Sequence, residues 1–223
     1  MIEELTPKAR QTRAHILETA LALFAEKGYA NTTLREIATA ADVSLGLTYR
    51  YFARKEELIF TLYQRLAEEL QADADNLPVS PVAERFGRTI SGCLARLSPH
   101  REALGALFAV GLAPDSETAV LGEASAGVRD TVWHTYHTVI AGASDAPRTR
   151  QQSELTTAFY ALHLMLVLYW LQDRTPGQSS TRELIAFTRD SLSRLRPLLG
   201  LPPVAQMLKK LVTIITPLFG PAK

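Results

Sequence analysis

Apolar positions recur at intervals of three and four residues along most of this 223-residue chain, and no strand-like alternation of useful length interrupts them. Ile16, Leu17, Ala20, Leu23 and Phe24 share one face of a helix predicted over 7–27, with Thr6 as its N-cap, Pro7 at its first position and Gly28 as its stop. Thr33 and Glu36 have capping-box spacing, and Leu34, Ile37, Ala38 and Ala41 follow on one face, so a short second helix is expected over 34–41. Asp42, Val43 and Ser44 supply a turn, and Ser44 caps a third helix over 45–52. Two short helices across a tight turn make a helix-turn-helix.

Longer helices follow. One over 55–76 carries Leu58, Leu62, Leu66 and Leu70 and ends at LPVSP; others are expected over 81–97, 100–112, 115–141, 148–173 and 181–199, separated by PH, AP, ASDAP and TPGQSS. In the tail, Val204, Met207, Leu208, Leu211 and Ile215 predict one more amphipathic helix. The fold class is all-α.

The third helix sets the chemical question. In ADVSLGLTYRYF, residues 41–52, Val43, Thr48 and Phe52 fall at helix-like intervals and suit a core, which leaves Leu45, Gly46, Leu47, Tyr49, Arg50 and Tyr51 facing outward. Phenolic hydroxyls and a guanidinium bond phosphate oxygens, a glycine admits close backbone approach, and a leucine methyl can meet a thymine methyl. A short amphipathic helix with ordinary surface tyrosines fits the same local pattern.

Gly28, Tyr29, Thr33, Ile37, Ala38, Ala41, Val43, Ser44, Gly46, Tyr49, Tyr51, Phe52, Lys55, Glu56 and Leu58 together resemble the DNA-binding segment of TetR-family transcriptional regulators. The resemblance implies a three-helix N-terminal helix-turn-helix DNA-binding domain over 1–54. It also implies a larger helical ligand-binding and dimerisation domain over 55–223, and release of double-stranded operator DNA when a small molecule binds. Thr33 and Arg35 fall where family members touch a phosphate and a base, Tyr49 and Tyr51 on backbone-contacting positions, and Lys55 where the family places a lysine near phosphate. Ser44, Leu45, Gly46, Leu47, Arg50 and Arg54 complete the expected DNA-facing set. Three departures stand out. Leu45 occupies a place that is often polar, which favours apolar or shape readout. Leu47 and Thr48 reverse the common order of small polar and apolar residues, so Thr48 is expected to bond a carbonyl in its own helix. Arg54 replaces the usual cap of the fourth helix with a second cation.

Composition narrows the partners. Against 23 acidic residues stand 24 Lys and Arg, a formal charge of +1, so any attraction to nucleic acid is local. A lone cysteine, Cys93, makes no internal disulfide, and MIEELTPKAR lacks the apolar core of a signal peptide; a cytoplasmic location is expected. AFYALHLMLVLYWL is apolar all round except for His163, but it is shorter than the roughly 20 residues of a membrane span. Such a helix has to be covered, and the family's dimer interface on its last two long helices does so; 159–170 and 184–195 are the expected dimer core, with Leu166 inside it.

Asp130, His134 and His137 share a helix face, which suits a metal or a plain polar stripe; no metal is assigned to them. Without a glycine-rich phosphate loop or nucleophile motif, neither an enzyme nor a cofactor is expected. A helical small-molecule-binding protein or enzyme whose N-terminal helices merely pack remains the rival class. For the effector, Phe60, Tyr63, Leu104, Phe108, Trp133, Tyr136, Tyr160 and His163 are expected to converge on an aromatic-rich cavity, suited to a lipophilic or aromatic molecule oriented by Tyr136 and His163.

Overall fold

In the computed structural model, which describes residues 6–111 and 125–221, every regular element is a helix and no strand occurs among the described residues. The helices are α1 (Pro7–Lys27), α2 (Leu34–Ala40), α3 (Leu45–Tyr51), α4 (Lys55–Asp75), α5 (Val82–Leu97), α6 (Arg101–Gly111), α7 (Ala126–Ala141), α8 (Thr149–Gln172), α9 (Ser179–Leu195) and α10 (Pro202–Phe219). The all-α class and the order of its helices are as predicted. Most of the helix expected over 115–141 is α7; its first ten positions lie outside the described residues. The helix expected over 181–199 stops at Leu195 and tightens into a 3-10 turn over Arg196–Gly200. Pro197 causes that change, because its ring clashes with the carbonyl four residues earlier and it has no amide to donate.

The chain divides into two compact units, 1–64 with 99–120, and 65–98 with 121–223. In the first, Ile16, Leu17, Ala20 and Phe24 of α1, Ile37 and Ala38 of α2, Thr48, Phe52 and the α4 residues Leu58, Ile59 and Leu62 are buried. Thr6 caps α1 through the Ala9 amide at 3.3 Å, as its place before Pro7 predicts. Arg13 crosses from α1 with its guanidinium 4.7 Å from the Phe52 ring centroid and donates to Thr61 Oγ1 at 2.9 Å. His15 Nε2 lies 3.2 Å from the Ala41 carbonyl, tying α1 to the turn between α2 and α3.

In the second unit α5 packs against α7 and α9, α7 against α8, and α8 against α10. Arg85 organises one end. Its buried guanidinium donates to the carbonyls of Val139 at 2.7 Å, Thr138 at 3.1 Å, Leu77 at 2.9 Å and Pro78 at 2.8 Å. A cation on the last carbonyls of α7 also suits the negative end of that helix. Gly142 leaves the room this needs, since an added Cβ would stand 2.7 Å from Arg85 Nη2. At the other end, the Asp173 carboxylate accepts from the amides and hydroxyls of Thr175 and Thr181, which holds it well below the usual carboxylate range and pins the turn from α8 to α9.

Helix α8 is long and apolar enough to cross a membrane, yet Phe159, Leu164, Leu166, Val167 and Trp170 are buried within its own unit. Leu166 therefore lies in the protomer's core, which corrects its expected place on the dimer interface: an apolar helix is covered equally well by its own chain. In the tail, α10 buries Val212 and half-buries Val204, Leu208 and Ile215 of the predicted stripe, while Met207 and Leu211 face outward.

Candidate functional site

Local hydrogen bonding builds the helix-turn-helix. Thr33 Oγ1 accepts from the Glu36 amide at 3.2 Å, and Glu36 Oε2 accepts from the Thr33 amide at 2.9 Å, closing the predicted capping box and holding the Glu36 carboxyl below its ordinary pKa. Ser44 Oγ accepts from the Leu47 amide at 3.1 Å and starts α3. Between them Asp42 adopts φ +52, a left-handed position that short polar side chains tolerate, and the Val43 amide reaches back to the Ala38 carbonyl at 3.0 Å. That is how two helices of seven residues turn sharply without glycine.

Thr48 of α3 and Phe52 just after it are fully buried, and Val43 in the turn before it is half-buried. Thr48 donates to the Ser44 carbonyl at 3.3 Å, as its reversed position predicts. The opposite face carries Ser44, Gly46, Tyr49 and Arg50 exposed, with Leu45, Leu47 and Tyr51 half-buried; Thr33, Arg35 and Arg54 are exposed beside it. An added Cβ on Gly46 would meet nothing within 4 Å, so the backbone there is open to an approaching surface. At the start of α4, Glu57 Oε2 accepts from the Ala53 amide at 2.9 Å, tying the chain just ahead of the helix to its first turn. Lys55 is half-buried and donates to the Tyr29 carbonyl at 2.8 Å.

The expected effector residues fall into two groups. Phe60, Tyr63, Leu104 and Phe108 belong to the first unit, where Tyr63 and Phe108 meet edge to face at 5.8 Å. Trp133, Tyr136, Tyr160 and His163 belong to the second, and there Tyr136 Oη lies 3.0 Å from His163 Nδ1 while Tyr160 stacks on the His163 ring at 6.4 Å. Burial pushes His163 down to about 4, so it is neutral at physiological pH, and burial also raises the Tyr160 phenol. Phe86 and Phe159 complete this cluster, 4.7 Å apart and each against Tyr136. Sequence reasoning missed both, because their spacing reads as ordinary core. Trp133 Nε1 donates to Thr157 Oγ1 at 3.2 Å.

His134 Nδ1 lies 2.8 Å from the Asp130 carbonyl and His137 stacks on Trp133; no group of three metal-ligating side chains occurs among the described residues. Burial pushes the Cys93 thiol up to about 12, which makes it an inert core group. On the surface of the second unit, Met165 (49% exposed) and Tyr169 (43%) on α8 and Phe187 (69%) and Leu195 (54%) on α9 are large apolar side chains left uncovered.

Two family models match separate stretches of the chain. Residues 16–62 match the family model described as bacterial regulatory proteins, tetR family, and residues 86–210 match tetracyclin repressor-like, C-terminal domain. The HTH-type transcriptional regulator TtgR of Pseudomonas putida is 40% identical over 97 residues, 44% of each chain. The regulator AcrR of Shigella flexneri is 35% identical over 91 residues, 38% of this chain and 42% of that one. The chain thus spans less than half the length of these curated relatives. Among solved structures, Thermus thermophilus FadR, a repressor in complex with lauroyl-CoA, superposes with a TM-score of 0.61 at 23% identity, covering 85% of this chain and 94% of that one. A regulator from Nitrosomonas europaea gives 0.60 at 23% identity over 83% and 99%. At this identity the structural likeness speaks for the fold.

Proposed function

Because the chain belongs to the tetR family of bacterial regulatory proteins, we propose that it is a cytoplasmic, ligand-responsive transcriptional repressor rather than an enzyme. It binds a palindromic operator as a homodimer and leaves it when a small lipophilic or aromatic molecule binds. The observation that carries this reading is the outward face of α3. Tyr49, Arg50 and the open backbone at Gly46 present hydrogen-bonding groups and close approach where packing alone has no use for them, with Thr33, Arg35 and Arg54 alongside. Thr33, Ser44, Tyr49, Tyr51 and Lys55 position the backbone, Arg35 and Arg50 read base edges, and Leu45 and Leu47 make apolar contacts in the groove.

The effector is oriented by Tyr136 and His163, a neutral hydrogen-bonded pair within an aromatic cluster, which favours an apolar molecule carrying one or two polar groups. To act, it binds the DNA-free state better than the DNA-bound state, so effector and operator weaken each other by the same factor. The dimer face is formed by Met165, Tyr169, Phe187 and Leu195, whose exposure on adjoining helices suits a second copy. Footprinting on DNA flanking the protein's own gene tests the reading: two protected half-sites are expected in inverted repeat, about 34 Å or whole turns apart. A single unpaired footprint, or none, overturns it.

A further inference from the structure

Tyr29, in the turn between α1 and α2, is held at three points by charged side chains. Its amide donates to Glu102 Oε1 of α6 at 3.1 Å, its carbonyl accepts from Lys55 of α4 at 2.8 Å, and its phenol donates to Glu56 Oε1 at 3.2 Å. The preceding residue makes space for the first of these. Gly28 has φ +83, which excludes most side chains, and an added Cβ would stand 3.0 Å from Glu102 Oε1. The ring of Tyr29 is buried edge to face against Phe24 of α1 at 5.1 Å, so the peptide cannot shift without moving α1 or the entry to α2. Four residues on stands Thr33, the cap of α2 and a candidate phosphate contact.

We propose that Glu102 is a positioning residue for DNA binding: by gripping the Tyr29 amide from α6, it sets the start of the helix-turn-helix, and loss of the grip lowers operator affinity. The proposal rests on the reading of the helix-turn-helix as a DNA-binding element and identifies a residue that positions it. Glu102 lies outside the DNA-facing set and carries the wrong charge to meet phosphate. That fixes a sign. If the carboxylate acted only through its charge, removing it would tighten binding to any DNA. As a positioning residue, its loss weakens operator binding. Glutamine keeps an acceptor oxygen for the amide and drops the charge, so it separates the two roles.

The experiment compares wild type, Glu102→Ala and Glu102→Gln by fluorescence anisotropy on the DNA flanking the gene, and by hydrogen exchange of the Tyr29 amide without DNA. Glu102→Ala is expected to lose about tenfold in operator affinity, the scale of one charge-assisted hydrogen bond, with an unchanged salt slope and at least tenfold faster exchange at Tyr29. Glu102→Gln is expected to stay within about twofold of wild type in both. Equal or tighter operator binding by Glu102→Ala, or an unaltered Tyr29 exchange rate, overturns the proposal. A wild-type protein that shows no preference for the flanking DNA overturns the functional reading instead, and the exchange data still report on the grip.

Discussion

Lys55 donates its ammonium to the Tyr29 carbonyl oxygen at 2.8 Å and sits 4.5 Å from the centroid of the same residue's ring. Neither partner carries a charge, so the cation is aimed without being neutralised. A phosphate reaching this point meets an ammonium already oriented at the start of α4. Lys55→Ala is expected to weaken binding to all sequences alike and to flatten the dependence of log K on log salt by about one unit. An unchanged slope would confine Lys55 to holding Tyr29. Arg35→Ala is expected instead to relax base preference, read as a loss of discrimination between operator and mutated operator.

Capping sets the stability of the two short helices. Removing the Thr33 hydroxyl leaves the Glu36 amide without its acceptor, and Thr33→Ala should cost about 1 kcal/mol in urea unfolding. A variant as stable as wild type would show that packing alone holds α2.

These features were legible because they are local. Thr33 with Glu36, Ser44 with Leu47, and Thr6 ahead of Pro7 are pairs a few residues apart whose chemistry permits little else. Glu102 and Tyr29 are 73 residues apart, and Arg85 reaches carbonyls 53 and 54 residues away. A surface glutamate and an arginine on an otherwise apolar helix face announce no such partner. Leu166 shows a different limit. An apolar helix reads the same whether its own chain or a second copy covers it, and only the exposure of Met165 and Tyr169 separates the two faces.

That separation predicts different fates for two charges. Leu166→Glu places a carboxylate in the protomer's core and should prevent folding. Phe187→Glu sits on the uncovered face of α9 and should give a folded protein of unchanged helicity that sediments as a monomer. A Phe187→Glu protein that stays dimeric at micromolar concentration would move the interface elsewhere.

His163 links the aromatic cluster to pH. Burial lowers its pKa from 6.5 to about 4, so the unfolded chain takes up a proton that the folded protein refuses. Stability from this group is therefore fully present above pH 6.5 and is lost as pH falls towards 4, by on the order of 3 kcal/mol. His163→Gln should flatten the difference in urea midpoint between pH 7 and pH 4.5. An equal slope in both proteins would place the titration on other groups.

The central claim is that the outward face of α3 reads an operator. The direct measurement is an anisotropy titration of the protein against DNA flanking its own gene and against an unrelated fragment of equal length, at several salt concentrations. Binding to the flanking DNA is expected to be about a thousandfold tighter or more and to fall steeply with salt. Equal affinity for the two fragments would contradict the account.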